Sequence, residues 1–511
     1  MKMVKSLLLG GAAGVVAIAG AQAADLPVKA KPVEYVKVCS LYGAGFYYIP
    51  GTDICLKLGG YVRNQHYWGE ASGTSSTNTP FFGDGRNTRS PNDDNLYTIR
   101  FRTIISVDTR QQTDFGTLRT YLTIGWTQDF PQNTASQLYA NRAFIQFAGF
   151  TFGKATSYYD LYSSPSFSYF SRPSSDTGDG GWGVAAYTAQ FGNGVSATLS
   201  AEEARRGEVW NANTGVGVAG AAFSSAAANN YADFKYPDIV GNIRVDQAWG
   251  SLQVMGAIHD VTATYFSPVA GGFTCSIGAP ATNTTCGHPD DKVGWAVGVG
   301  AVINTPFISP GDKFSFQFNY TEGAPRYANF TQTGATGIPA NYFGSGNSLG
   351  WGFVADAVFG TLGPAGTPTS TSLQLTKVWG VNAAYEHIWN PKWKTSVYGG
   401  YVKYDYNDTA SDQICRSLAG SSGQPGFAGF TGATAGCSPD WNLWFVGTRT
   451  QWNLTKDFYI GVDVAYTKLE TSFGGVSTAL SPGGARPTGV YTFDNQDQIS
   501  ATFRIHRDFV P

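Results

Sequence analysis

Five arginines, Arg63, Arg100, Arg102, Arg119 and Arg142, fall on alternating positions of apolar-patterned stretches in the first third of the chain. A second charged group, Asp160, Asp176 and Asp179, lies in an aromatic segment that carries Tyr158, Tyr159 and Tyr162. Neither set is spaced for bond-making chemistry. What fixed charges of opposite sign on separate segments can do is set a transverse field across water and sort small solutes by size and charge. Two arginines two residues apart on a strand stand about 7 Å apart, and repel by ~0.6 kcal/mol in water but ~2.4 kcal/mol at an effective dielectric of 20. A wetted lumen tolerates that; a dry core does not.

Motifs for other chemistry fail on context. Gly215 to Gly220 spells G-x-G-x-x-G but lies in an Ala/Gly/Asn-rich stretch, where a dinucleotide site needs a strand before it and a helix after it. The five histidines are scattered with no H-E-x-x-H, and Asp176 to Gly181 lacks the ligand run of a calcium loop, so no metal and no cofactor is assigned. There is no G-x-S-x-G elbow, and no catalytic residue is assigned. The six cysteines fall into the local pairs Cys39-Cys55, Cys275-Cys286 and Cys415-Cys437. Each pair brackets loop-type sequence without the C-x₂₋₄-C spacing of zinc, and three loop staples formed in an oxidising compartment is the simplest reading.

The elements that must carry the charges are strands. Between Leu96 and Thr109 one face reads Tyr97, Ile99, Phe101, Thr103, Ile105, Val107 and the other Thr98, Arg100, Arg102, Ile104, Ser106, Asp108. From Thr117 to Thr127, Leu118, Thr120, Leu122, Ile124 and Trp126 oppose Thr117, Arg119, Tyr121, Thr123 and Gly125. This is the period of two expected of strands. Seven hairpins follow, with arms near 96–109/117–129, 138–149/150–156, 184–191/195–203, 239–248/251–261, 292–305/314–322, 373–389/393–406 and 441–453/458–468. Single strands at about 54–68 and 496–509 bring the expected number to sixteen. Short turns alternate with long polar stretches such as 70–95, 204–230, 262–290, 323–350 and 407–440. Trp351 to Leu362 is apolar without a partner; it is read as a folded loop, and is where a count of eighteen would enter.

Composition limits what this array can be. Charged residues are 14% and aromatics 14%, with 64 glycines in 511 residues, too few charged helix formers for soluble α/β domains. Residues 1–23 read as a cleaved signal peptide: Lys2 and Lys5, an apolar run from Leu7 to Ala19, then Ala21-Gln22-Ala23. Its removal leaves 32 basic against 36 acidic residues, no footprint for nucleic acid. No later run is long enough for a spanning helix; the best, Val293 to Ile303, contains three glycines. An exported chain without such a helix crosses hydrocarbon only as a closed sheet, because every backbone N–H and C=O must be paired. The expected fold is all-β: a transmembrane antiparallel β-barrel of about 16 strands, with short periplasmic turns and long extracellular loops. The divisions are 1–23 signal peptide, 24–53 a lead-in with Cys39, and 54–511 the barrel. The segment of about 155–182 is too aromatic to be left in solvent and is read as folding inward against the basic wall. Alternation places Lys57, Arg63, Gln65, Arg100, Arg102, Arg119 and Arg142 on that wall.

In its residues the chain resembles the general diffusion porins of alphaproteobacterial outer membranes. The likeness is carried by Ala24-Asp25-Leu26-Pro27-Val28, by Pro32 to Cys39, by Ile54-Cys55-Leu56-Lys57-Leu58-Gly59-Gly60-Tyr61-Val62-Arg63, by the hairpin from Trp379 to Tyr404, and by Arg504-Ile505-His506-Arg507-Asp508-Phe509. The resemblance implies a homotrimer of 16-stranded barrels in outer-membrane lipid and lipopolysaccharide, with the third long loop in the lumen. It also implies a constriction of Asp160, Asp176 and Asp179 facing a wall of Arg63, Arg100, Arg102, Arg119 and Arg142. Two features depart from it: the chain ends Phe509-Val510-Pro511 rather than in an aromatic residue, and it is long for the family.

The function expected is passive diffusion of ions and small hydrophilic solutes through a water-filled channel. The alternatives are a solute-specific channel with Tyr158, Tyr159 and Tyr162 as a stacking slide for sugars, an outer-membrane adhesin, and a barrel enzyme.

Overall fold

The computed structural model describes residues 37–69, 97–130, 133–162, 166–170, 181–214, 231–233, 235–266, 287–329, 340–343, 347–361, 370–419, 437–480 and 488–509. Sixteen strands form one antiparallel barrel sheet. They are β1 (Cys55–Trp68), β2 (Tyr97–Thr113), β3 (Gly116–Phe130), β4 (Asn133–Phe147), β5 (Phe150–Ala155), β6 (Trp182–Gly192), β7 (Val195–Glu202) and β8 (Asp238–Gln247). They continue as β9 (Gly250–Val261), β10 (Lys292–Asn304), β11 (Lys313–Glu322), β12 (Lys377–Asn390), β13 (Trp393–Asp405), β14 (Trp441–Thr455), β15 (Phe458–Glu470) and β16 (Gln496–Asp508). Each pairs with its neighbours in sequence. β16 pairs with β15 on one side and with β1 on the other, from Tyr61↔Asp508 to Trp68↔Ala501, and β1 pairs with β2, which closes the barrel.

The alternation decides which way each strand faces. On β2, Tyr97, Phe101 and Ile105 are 40%, 51% and 51% exposed, while Thr98, Arg100, Ile104 and Asp108 are buried. The apolar set therefore looks outward and the polar set inward, the reverse of a soluble barrel and the pattern of one set in lipid. Outward aromatics concentrate at the two ends. Phe115, Phe150, Tyr187, Phe191, Trp249, Phe307, Trp389 and Trp393 mark the short-turn end, and Trp68, Tyr97 and Trp126 the long-loop end.

All seven expected hairpins are present, with strand ends moved by a few residues. Their turns are tight where backbone chemistry permits. Asn193 (φ 49°) and Gly194 (φ 73°) both take the left-handed region, the conformation of a two-residue hairpin turn that follows strand twist. β4 starts at Asn133, earlier than its sequence pattern indicates, so β3 and β4 are joined through residues 131–132 alone. β5 and β7 are short, and the inner segment, described at 156–162 and 166–170, leaves the sheet after β5.

Trp351 to Leu362 adds no barrel strand. Ser348–Gly352 joins a four-stranded sheet with Ala340–Phe343, Ser477–Leu480 and Gly489–Phe493, and Ala357–Phe359 joins a three-stranded one with Val209–Asn211 and Gln374–Leu375. Together with helix α1 (Asp408–Ala419) these sheets build an apolar cap around Trp210, Trp351, Phe353, Trp441 and Phe493. Asn407 Oδ1 accepts from Ala410 N at 2.9 Å, capping α1, and the helix is tied back by Cys415–Cys437, with Cα atoms 6.1 Å apart.

Residues 37–57 form a compact unit of their own. Cys39 and Cys55 are joined with Cα atoms 6.0 Å apart, and they pack with Phe46 into a small buried cluster. Cys275 and Cys286 lie outside the described residues.

Candidate functional site

The site is the lumen, narrowed by the inner segment. Strand register builds its basic wall. Arg100 sits opposite Asp129 and makes two bonds to it, at 2.7 and 2.8 Å. Arg102 Nε donates to Thr127 Oγ1 at 3.0 Å. Lower down, Arg110 and Arg119 are directly opposed across β2 and β3, and Asp108 takes both, at 2.9 and 3.0 Å. Two facing cations would otherwise repel; one carboxylate turns the pair into a network. Arg119 also reaches Gln146 at 2.9 Å. On β4 an extra residue opposite Thr123 and Ile124 shifts the register, so Asn141 and Arg142 both line an open recess of about 380 Å³ with Tyr61, Ser106, Tyr121 and Thr123. Arg142 donates to Asn141 O and Thr156 Oγ1. Arg63 Nε donates to His506 Nδ1 at 3.2 Å, which leaves Nε2 of that ring to carry its proton toward Asp508, 3.1 Å away.

The inner segment docks along the other side of the barrel. Its first part lies on β7 to β9: Glu202 accepts from Tyr158 N at 2.9 Å, and Asn242 Nδ2 donates to Tyr158 O at 2.6 Å. Tyr158 Oη bonds Thr151 and Tyr162 Oη bonds Asn382 on β12. The part at 166–170 reaches β14 to β16. There the buried Asp463 carboxylate accepts from Tyr169 N at 2.6 Å, Ser168 Oγ at 3.0 Å and Tyr398 Oη at 2.6 Å. The ring of Tyr169 lies between two guanidinium groups, Arg504 at 3.9 Å and Arg449 at 5.3 Å. Burial pushes the Tyr159 and Tyr169 phenols well above their ordinary range, so both stay neutral, and Tyr169 Oη donates to Gln451 Oε1 at 3.0 Å.

Several expected site residues take other partners. Asp160 is paired with Arg205 at 3.1 Å, both side chains being at most 2% exposed, and so does not face the arginines of β1 to β4. An aspartate this buried needs a cation against it, and the cation comes from the loop after β7. Arg205 also receives the Tyr327 ring at 4.4 Å and gives its own N–H to Asp238. Tyr159 is wholly buried between Arg205 and Tyr327, so it presents nothing to a passing solute; Tyr158 and Tyr162 are half-buried. Asp176 and Asp179 lie outside the described residues. Sequence reasoning missed the carboxylates Asp108 and Asp129 as partners, and gave Arg449, Asp463 and Arg504 no place in the lumen. Asp463 did carry a signal: a lone carboxylate facing inward on β15, between Gly461 and Ala465.

A family model described as "Porin subfamily" matches residues 25–502. The chain belongs to that family. This porin is 30% identical over 316 residues to Porin Omp2b of Brucella melitensis, spanning 58% of this chain and 79% of the relative, and Porin Omp2b of Brucella abortus matches it to the same extent. Among solved structures, the outer membrane channel DcaP of Acinetobacter baumannii superposes with a TM-score of 0.55 at 14% identity, covering 90% of this chain and 99% of that one, a likeness of fold. The porin is thus a non-enzymatic channel of the outer membrane. Its short turns belong to the periplasmic side and its long loops to the extracellular side.

Proposed function

We propose that this porin is a general diffusion channel whose narrowest section lies between the inner segment and the arginine wall of β1 to β4. The observation that carries it is the docking of the segment on β7 to β9 and again on β14 to β16. That docking occupies the lumen side of β7 to β9 and of β14 to β16, and leaves Arg63, Arg102 and Arg119 part-exposed on the remaining strands. Solutes never leave solvent on such a path, so passage needs no energy source. The remaining loop acids, Asp176 and Asp179, would stand on the segment side of the gap and Arg63, Arg100, Arg102, Arg119 and Arg142 on the other. The mature chain would begin at Ala24 after loss of residues 1–23, with 24–53 as a lead-in to the barrel. The resemblance to trimeric diffusion porins supports a homotrimer in outer-membrane lipid and lipopolysaccharide. Purified porin in planar bilayers should give large ohmic steps that no single sugar blocks. Saturable block by one sugar would point instead to a solute-specific channel, and absence of conductance would refute both.

A further inference from the structure

We infer that Phe353 to Asp356 form a strap across the extracellular mouth, a second sieve in series with the inner-segment gap, and that Tyr406 and Trp441 position it. The inference rests on the diffusion reading above and names the solutes it sorts: uncharged oligosaccharides, by bulk. At one end the Phe353 carbonyl accepts from Tyr406 Oη at 2.7 Å and from Trp441 Nε1 at 2.6 Å, Tyr406 standing just past β13 and Trp441 opening β14. A Cβ on Gly352 would lie 2.9 Å from the Trp441 ring, so the backbone rests directly on the indole. At the other end the wholly buried Asp356 accepts from Gly207 N at 2.8 Å and from Tyr231 Oη, and lies 3.6 Å from His259 Nε2 on β9. Nδ1 of the same ring is 2.7 Å from Asp238 on β8. From Phe353 to Asp356 the chain spans at most about 10 Å, whereas the wall from β9 to β14 is roughly 24 Å long at about 4.8 Å per strand. With the Trp441 and His259 side chains reaching in to meet it, the strap takes the chord across the opening.

Behind the strap the wall is apolar, where a water-lined pore needs polar groups. Val378, Val402, Tyr404, Trp441 and Leu443 face inward near the long-loop end of β12 to β14, and each is at most 2% exposed. They pack with Phe353 in one cluster that also takes in Phe167 and Phe170 of the inner segment. Apolar side chains are driven out of water, so this arc of the mouth is filled with protein. Apolar packing is non-directional, but two donors converging on one carbonyl fix where the strap lies. A solute meeting a fixed, narrowed mouth is sorted by its cross-section.

The test is the swelling of liposomes containing the full-length porin in arabinose and in raffinose. Tyr406→Phe with Trp441→Phe keeps an aromatic ring at each position and removes both donors. A net hydrogen bond shifts a conformational equilibrium by about two- to tenfold, so the raffinose rate relative to arabinose should rise at least about twofold. A variant that swells in arabinose with an unchanged ratio overturns the inference and leaves the diffusion reading standing. Rates that rise by one factor for both sugars place the restriction at the inner segment and overturn it too. Wild-type porin that swells in neither sugar overturns both readings. If the double variant fails to assemble, Tyr406→Phe alone, which loses one hydroxyl, should move the ratio in the same direction, and an unchanged ratio there overturns the inference.

Discussion

The hydroxyl of Tyr169 fills the space above Gly461: a Cβ placed on that glycine would lie 2.0 Å from the Tyr169 oxygen. A position 292 residues further along the chain has therefore been kept empty for one side chain of the inner segment.

Gly461→Ala should displace Tyr169 from Arg504 and Asp463 without unfolding the barrel. Forcing a methyl into a filled site costs about 1–3 kcal/mol, and here the inner segment yields more readily than a paired strand. Single-channel recording should show larger and noisier open currents. An unchanged current would mean that Tyr169 does not hold the segment in the lumen.

Arg205→Ala should be the most damaging single change near the inner segment. It strands Asp160 in a site closed to solvent, and breaking a buried pair from one side costs about 3–5 kcal/mol. The temperature at which the β-sheet circular dichroism signal is lost in detergent should fall clearly. Arg205→Met combined with Asp160→Leu should recover part of the loss, since neither charge is then left alone.

Neutralising Asp176 and Asp179 to Asn should move the reversal potential toward anions. The sequence reading places both on the inner segment, and each lost negative charge there would lower the local cation concentration. A reversal potential that stays put would remove both residues from the constriction.

In the periplasmic turn at 305–312, burial of the Asp312 carboxyl would raise its pKa, but donation from Tyr385 Oη at 2.5 Å, Ile388 N at 2.7 Å and His387 Nδ1 at 2.7 Å outweighs that and holds it below the usual carboxylate range. A lowered folded pKa means stability that is fully present above the unfolded value of about 3.9 and is lost as pH falls through the folded one. Melting temperature should therefore drop in acid below about pH 4 in the wild type, and less steeply in Asp312→Asn. Parallel pH profiles for the two would show that Asp312 contributes nothing to this turn.

The barrel was legible in the residues because its cause is local. A strand between lipid and water must alternate, and the alternation on 96–109 and 117–127 can be read without knowing what lies beside it. The inward bend of the segment after β5 was legible for a similar reason: Tyr158, Tyr159, Tyr162, Phe167, Tyr169 and Phe170 need cover. What they dock on was not legible. Arg205, Asp463 and Arg504 lie far along the chain from the segment, and nothing in their neighbours' sequence points to it.

Sequence alone determined the number of hairpins and the faces of the strands, both consequences of side-chain type at period two. Tertiary structure decided which charges cancel. Register set Asp129 against Arg100 and gave Asp108 two arginines, and barrel closure brought His506 opposite Arg63. Burial then withdrew Asp160 from the lumen by giving it Arg205. Coulomb energy depends on separation and on access to water, and for groups distant in sequence neither quantity exists until the sheet has closed.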